Sequence, residues 1–259
     1  MELHRNPMND PTIDRLAALL IAIAESNGSI SLADHARELG IPLSTAYRMV
    51  SALVRHGLLA PTSRGCFGPG LTLGSLAVVA DHRQILARAA RPAVRRLARN
   101  CRATAHLGIL DNEMVTYLVK ERGGGEELFT REDRQLEAYC SAIGKVLLAN
   151  IEEQALASYL ASAPFIALTE KTVTDPEVIR AMLQAVRQDG YAVDNQEIRE
   201  GLVCVAVPVR DADGRVIAAI SLSQTFPSKE IPGDELLSAL KACAHRIEVK
   251  PGRGRSIGS

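Results

Sequence analysis

Residues 11–69 hold three short runs of helical period, each closed by a turn-forming pair, followed by two strand-like runs around a Pro-, Ser- and Gly-rich turn. This succession constrains the fold more than any other feature of the chain. Ile13, Leu16, Leu20 and Ile23 recur at spacings of 3, 4 and 3, which puts them on one helix face. Asn27-Gly28 ends that helix, because both residues tolerate the left-handed conformation of a helix terminus. Ser31 offers an N-cap and Asp34 suits the amide-rich first turn of a second helix, whose face is Leu32, Ala36 and Leu39 and whose end is Gly40. Beyond Ile41-Pro42 a third helix begins near Leu43 or Ser44, buries Ala46, Met49, Val50, Leu53 and Val54, and stops at His56-Gly57. Strands at Leu58–Ala60 and near Cys66-Phe67 complete the unit. Two helices, a tight turn, a third helix and a small hairpin spell a winged helix-turn-helix.

Charge says which partner such a unit suits. Thirty basic residues balance thirty acidic ones, so the whole molecule has no steering field of either sign. Between Glu38 and Asp81, however, 42 residues contain no acid, while Arg48, Arg55 and Arg64 fall inside. The gap covers the third helix and the wing, the parts of this motif that face a duplex, and phosphate contacts need cations without competing carboxylates. Ser44, Thr45, Tyr47 and Arg48 lie in the first turns of the third helix, the end that reaches base edges, and Arg64 lies on the wing. Nine aromatic residues, none of them Trp, argue against a platform for stacking unpaired bases.

The rest of the chain changes period twice. Leu71 to about Asn100 reads mostly as helix and is rich in arginine, and a long helix there could join two domains and carry a dimer contact on Ile85, Leu86, Ala89 and Ala90. Thr104–Leu110 and Met114–Glu121 read as a hairpin around Asp111-Asn112, and Gly123-Gly124-Gly125 as a flexible loop. Helices follow at 141–150, 152–162 and 175–189, the last opened by Asp175-Pro176. Strands at Tyr191–Asp194, Leu202–Val209 and Val216–Ser223 precede a final helix near 233–248. This order implies an α+β fold with a central antiparallel sheet. The expected organisation is a flexible tail at 1–10, the winged helix-turn-helix at 11–75, a linker helix at 76–100, a second domain at 101–248 and a flexible tail at 249–259.

Longer stretches carry a family resemblance. ELGIPLSTAYRMVSALVRHGLL and GCFGPGLTLGSLA resemble the N-terminal domain of IclR-type transcriptional regulators. YCSAIGKVLLA resembles the family's His-Ala-Thr-Ala-x-Gly-Lys-x-Leu-Leu-Ala segment, GYAVDNQEIREGLVCVAVPVRD its Gly-Tyr-x-x-Asp-Asp-Glu-Glu to Gly-x-x-Cys-x-Ala-x-Pro-Val stretch, and AAISLS the strand that follows. The similarity runs in order over roughly residues 12–248. The resemblance implies a winged-helix domain, a linker helix and a GAF-like effector-binding domain. It also implies homodimers, often paired into tetramers, that bind double-stranded operator DNA under control of a small metabolite. A small organic acid, of an aromatic or other catabolic kind, is the effector class it suggests.

The resemblance carries effector contacts onto Ala142, Ile143, Asp194, Leu202, Cys204, Ser221 and Ser223. Ser221 and Ser223 are two apart on a strand and so share a face, and Cys204 lies on the neighbouring strand. Backbone amides near Ser141–Gly144 would favour a carboxylate. Tyr139-Cys140 replaces the family's His-Ala, and Asn195-Gln196 replaces two acids.

Other readings are weaker. Ile143-Gly144-Lys145 ends like a phosphate-binding loop, but Tyr139 stands where its first Gly belongs and Val146 where a Ser or Thr should hold magnesium. There is no G-x-S-x-G, and six His residues form no H-x-x-x-H. Cys101 with His106, or Cys243 with His245, would make at best partial metal sites, so no cofactor, metal or catalysis is expected. MELHRNPMND lacks the apolar core of a secretory signal, the densest apolar run (Leu16–Ala24) is half a membrane span, and five scattered Cys suit a reducing cytoplasm. The rival from another class is a thiol-redox sensor, through Cys140 and Cys204, or a small-molecule enzyme on the second domain. Duplex affinity that answers only to oxidant would distinguish the sensor.

Overall fold

The computed structural model describes residues 11–124, 127–225 and 234–247. The tails read at 1–10 and 249–259, and Gly125 of the glycine loop, lie outside the described residues. The chain divides into two units after Asp81.

The first unit runs α1 (Pro11–Ser26), α2 (Leu32–Glu38), α3 (Leu43–Arg55), β1 (Leu59–Ser63), β2 (Cys66–Pro69) and α4 (Leu71–Val79). Asn27 and Gly28 take φ of +47° and +84°. A Cβ on Gly28 would lie 2.5 Å from Thr62 Oγ1, so the turn presses on the wing and only glycine fits. Ser31 Oγ accepts the Asp34 amide at 3.2 Å and donates to its carboxylate at 2.6 Å, which fixes the start of α2. The core gathers Leu19, Ile23, Leu32, Ala36, Ile41, Ala46, Met49, Val50, Leu53 and Leu59. Ile13, expected on the buried face of α1, is exposed. Both buried residues of α1, Leu19 and Ile23, lie in its second half, one turn apart, Leu16 packs on the core from the first half, and residues 11–15 are exposed. His35 is buried beside them and donates to or accepts from Ser26 Oγ at 3.0 Å.

The mostly helical run expected over 71–100 forms two helices. It breaks at Ala80-Asp81, and α5 (His82–Cys101) packs within the second unit from its first residue. Ala90, Val94, Leu97 and Ala98 recur at helical spacing on α5 and are buried against the sheet. That burial divides the proposed dimer stripe: Ala90 belongs to this chain's own core and Leu86 packs on it, while Ile85 and Ala89 remain exposed.

The second unit continues with β3 (Thr104–Asp111), β4 (Met114–Arg122), β5 (Gln135–Glu137), α6 (Ala142–Leu148), α7 (Glu153–Ala161), α8 (Pro176–Asp189), β6 (Ala192–Asn195), β7 (Leu202–Arg210), β8 (Val216–Thr225) and α9 (Asp234–Ile247). The strands form one antiparallel sheet in the order β5-β4-β3-β8-β7-β6. Strand alternation splits its residues between two cores. Val205, Val207, Val209, Ala218, Ile220 and Leu222 face α5 and α9, whereas Leu202, Cys204, Ala206 and Ala219 face α6, α7 and α8. In the β3–β4 ladder Leu107 pairs with Val119 but Gly108 pairs with Tyr117, so Leu118 is an extra residue. This bulge turns Tyr117 and Val115 to the α6 side, opposite Val119, and strict alternation would have placed them otherwise. Gly144 lets α6 sit close: a Cβ there would lie 2.1 Å from the Ala138 carbonyl oxygen.

Candidate functional site

The first unit presents a polar, cationic surface on α3. Ala46, Met49, Val50 and Leu53 are buried, which turns Ser44, Tyr47, Arg48, Ser51 and Arg55 outward. Thr45 is half-buried at the edge of that face, and Arg64 is exposed at the hairpin between β1 and β2. Among the described residues neither Arg48 nor Arg64 is committed to an ion pair, so both guanidinium groups can meet an external anion.

The second unit holds a pocket between the sheet and the start of α6. Ala142, Ile143, Asp194, Leu202, Cys204, Ser221 and Ser223, scattered over 82 positions, all line it. The ladders explain the convergence. Asp194 pairs with Cys204, Cys204 with Ser223, and Ser223 with Thr104, one row across four strands. The next row runs Ala192, Ala206, Ser221, His106 and Lys120. Of the remaining lining residues, Ser141 opens the stretch whose amides the sequence offers to a carboxylate, while Tyr117, Leu128, Phe129, Thr130, Leu136 and Ile198 carry no such signal. The free space among them is small, about 10 Å³ for the centre of a water, or roughly one molecule.

None of the lining residues is a cation. Polarity comes from the hydroxyls of Ser141, Ser221, Ser223, Thr130 and Tyr117 and from one carboxyl. Ser141 Oγ caps α6 by accepting the Gly144 amide at 3.1 Å. Asp194 Oδ1 accepts the Glu197 amide at 2.8 Å and the Ile198 amide at 3.4 Å, which orders the turn between β6 and β7. Burial pushes its carboxyl up to about 6, against those hydrogen bonds and the pull of Lys145. Lys145, the lysine of the loop-like Ile-Gly-Lys, is fully buried. Its Nζ donates to the Val193 carbonyl at 3.0 Å and pairs with Glu197, so its role is to tie α6 to the strand that carries Asp194.

His106 lies beneath the pocket, set aside in the sequence as a bystander. Its Nε2 is 2.8 Å from Thr130 Oγ1 and its Nδ1 is 3.5 Å from Ser223 Oγ, both pocket residues. Burial first, then the Lys120 charge, pushes it down to about 3, so the imidazole is neutral. The thiols of Cys140 and Cys204 are buried, and the same physics acts on them. Burial pushes Cys140 up to about 12 and Cys204 well above its ordinary value, which keeps both protonated at neutral pH. No group of three metal-ligating side chains occurs among the described residues.

The chain is similar to known proteins over most of its length. The family model for the IclR helix-turn-helix domain matches residues 12–63, and the model for the bacterial transcriptional regulator IclR C-terminal matches residues 78–249. The chain is 30% identical over 256 residues to the HTH-type transcriptional regulator KdgR of Escherichia coli (strain K12), covering 97% of this chain and 96% of that one. It is 29% identical over 217 residues to the Pca regulon regulatory protein of Pseudomonas putida, covering 82% and 73%. The crystal structure of an IclR homolog complexed with 4-hydroxybenzoate, from Microbacterium hydrocarbonoxydans, is similar with a TM-score of 0.60 at 26% identity, covering 91% of this chain and 97% of that one.

Proposed function

Since the chain belongs to the IclR family of bacterial transcriptional regulators, we propose that it reads operator DNA with α3 and the wing and changes its grip when a small carboxylic acid fills the pocket. One observation carries the ligand class. Hydroxyls of Ser141, Ser221 and Ser223 and the Asp194 carboxyl meet in a cup otherwise walled by Leu128, Leu136, Ile143, Ile198 and Leu202. Serine hydroxyls donate to a carboxylate, and the apolar wall suits a short chain or a ring. Asp194 is compatible with an acid because its raised pKa lets it carry a proton and donate as well. The 4-hydroxybenzoate held by the Microbacterium homolog supports an aromatic acid.

On the DNA side, Arg48 with Ser44, Thr45 and Tyr47 reads base edges and Arg64 holds phosphate. The functional unit is a homodimer or a pair of dimers. α4, LTLGSLAVV, has no charge, and Leu71 is 91% exposed and Leu76 57% exposed, an apolar surface suited to a second copy of the chain. The acid shifts DNA affinity only through its differential affinity for the two states of the protein. The buried, protonated thiols favour a metabolite signal over an oxidant.

The test uses the full chain, a duplex it selects from a random pool, and 4-hydroxybenzoate, benzoate and pyruvate as probes. The expected result is that one acid changes duplex affinity by about 5-fold or more. A response to peroxide alone would overturn the reading in favour of the thiol sensor.

A further inference from the structure

The strap of residues 127–134, between β4 and β5, lies over the pocket and contributes Leu128, Phe129 and Thr130 to its lining. Among the described residues, 127–130 make no backbone–backbone hydrogen bond; side chains hold them. Lys120 Nζ donates to the carbonyls of Leu128, at 2.8 Å, and Thr130. His106 meets Thr130 Oγ1, and the Arg199 guanidinium lies 5.6 Å from the Phe129 ring centre. The strap joins the sheet only further on, where the Asp133 amide donates to the Tyr117 carbonyl at 2.8 Å and the Tyr117 amide to the Arg134 carbonyl at 3.2 Å. With room in the pocket for roughly one water, an acid of any size must move a wall, and the strap supplies three consecutive lining residues that no ladder holds.

One further bond leads out of the pocket. Arg91 on α5 grips Glu132 with both ends of its fork, Nη1 to Oε1 at 2.8 Å and Nη2 to Oε2 at 2.9 Å, and the Lys120 amide donates to the same Oε1 at 2.8 Å. The pairing holds the Glu132 carboxyl below its ordinary value and is geometrically specific, as bidentate guanidinium–carboxylate bonds are. Arg91 and Arg95 also share Glu121 on β4, at 3.2 and 3.0 Å, so the network spans helix, sheet and strap. α5 opens the second unit, and only Ala80 and Asp81 separate it from α4. We infer that the Arg91–Glu132 clamp transmits the state of the effector pocket to the DNA-binding unit: a bound acid lifts the strap, Glu132 moves with it, and α5 carries the change to its N-terminal end. The inference rests on the proposed effector site and names its route. Arg91 and Glu132 are positioning residues, since neither touches the pocket.

Coupling is reciprocal, so it can be read from the DNA end without knowing the effector. The experiment is amide hydrogen exchange on the full chain with and without the duplex it selects from a random pool. In the native protein, duplex should change exchange in residues 128–132. In Glu132→Gln and in Arg91→Lys, duplex should bind within about twofold of normal while the strap no longer responds. The double variant should behave like either single one, because each removes the same link. Matched urea midpoints would exclude a merely destabilised strap, and Arg91→Lys serves if Glu132→Gln folds poorly. A strap indifferent to duplex in the native chain, or equally responsive in the variants, would overturn the inference. Titration with 4-hydroxybenzoate then addresses the ligand class separately: lack of binding would count against the aromatic acid and leave the exchange result standing.

Discussion

His106 stands directly across the β3–β8 ladder from Ser221, and the two residues lie on the pocket side of the sheet with no water-accessible surface to speak of. A neutral imidazole held there between Thr130 and Ser223 links folding to acid. The folded pKa of about 3 lies below the ordinary 6.5, so the unfolded chain binds the extra proton between those values. Stability is therefore full above about pH 6.5 and falls as pH drops toward 3. His106→Gln should remove this part of the slope. In urea titrations at pH 7 and 4.5, the native chain should lose about 2–3 kcal/mol more than the variant. Equal losses would mean that His106 is charged in the folded state.

Asp194 works in the opposite sense. Its folded pKa of about 6 exceeds the ordinary 3.8, so the folded chain holds the extra proton between them and stability falls as pH rises through that window. Asp194→Asn keeps an acceptor for the Glu197 and Ile198 amides and removes the buried charge. It should raise stability by about 1–3 kcal/mol at pH 7 and leave it near native at pH 4. The same titration predicts that acid binding weakens above pH 6, since a proton on Asp194 offsets a carboxylate beside it. Calorimetry with 4-hydroxybenzoate at pH 5.5 and 7.5, in native and Asn chains, checks this; pH-independent affinity in both would remove Asp194 from the ligand.

The first unit was nearly all legible in the sequence, because its signals are local: Asn27-Gly28, the Ser31 cap and the Ala46–Met49–Val50–Leu53 face each act within a turn or two. Ile13 misled because periodicity tells which residues share a face and not how far a neighbour covers it. The break at Ala80-Asp81 carries no Gly or Pro, while Pro92 sits inside α5 unbroken, so the usual stop signals point the wrong way. Seven pocket residues came from the family resemblance, with alternation on β8 as physical support. Ser141 was in view as the start of α6, while Tyr117, Leu136 and Leu128–Thr130 depend on long-range events: a bulge at Leu118 that turns Tyr117, a three-residue edge strand that brings Leu136, and a strap with no period of its own. His106 was hidden because a lone histidine in an alternating strand reads as core until its partners, 24 and 117 positions away, are known.

Ser221 and Ser223 are the hydroxyl pair that the proposed function needs. Ser221→Ala with Ser223→Ala removes two donors from a buried cup and leaves the α3 surface untouched. The double variant should lose the response of duplex affinity to an acid while ligand-free duplex binding stays within about 0.5 kcal/mol of native. Competition titrations with and without 4-hydroxybenzoate measure both quantities. An unchanged response would place the effector elsewhere.

Arg48 and Arg64 should fail differently. Arg48 lies on the outward face of α3, and if it reads a base edge as proposed, Arg48→Ala should cost on the order of 1–3 kcal/mol on the selected duplex and less on random sequence. Arg64, at the wing tip, should weaken binding to all duplexes alike and reduce the salt slope by about one. Titrations of both variants on both duplexes over a range of salt decide, and native affinity throughout would exclude this surface.

The uncharged α4 supplies the last prediction. Leu71 and Leu76 stand exposed on a helix that carries no charge, and the chain gains by covering such a surface. A second copy does so symmetrically, and two linked winged helices raise affinity through effective concentration, by roughly 10²–10⁴ over one. Leu76→Asp puts a charge where the partner's apolar face would lie, yet in the single chain that side chain is already 57% exposed, so folding should be spared. Light scattering should show the native chain as a dimer or larger and the variant shifted toward monomer. The selected duplex should contain inverted half-sites about one helical turn apart or a multiple of it, and the variant should bind one half-site as well as two. A native chain that stays monomeric at micromolar concentration and protects a single half-site would show that α4 has another partner.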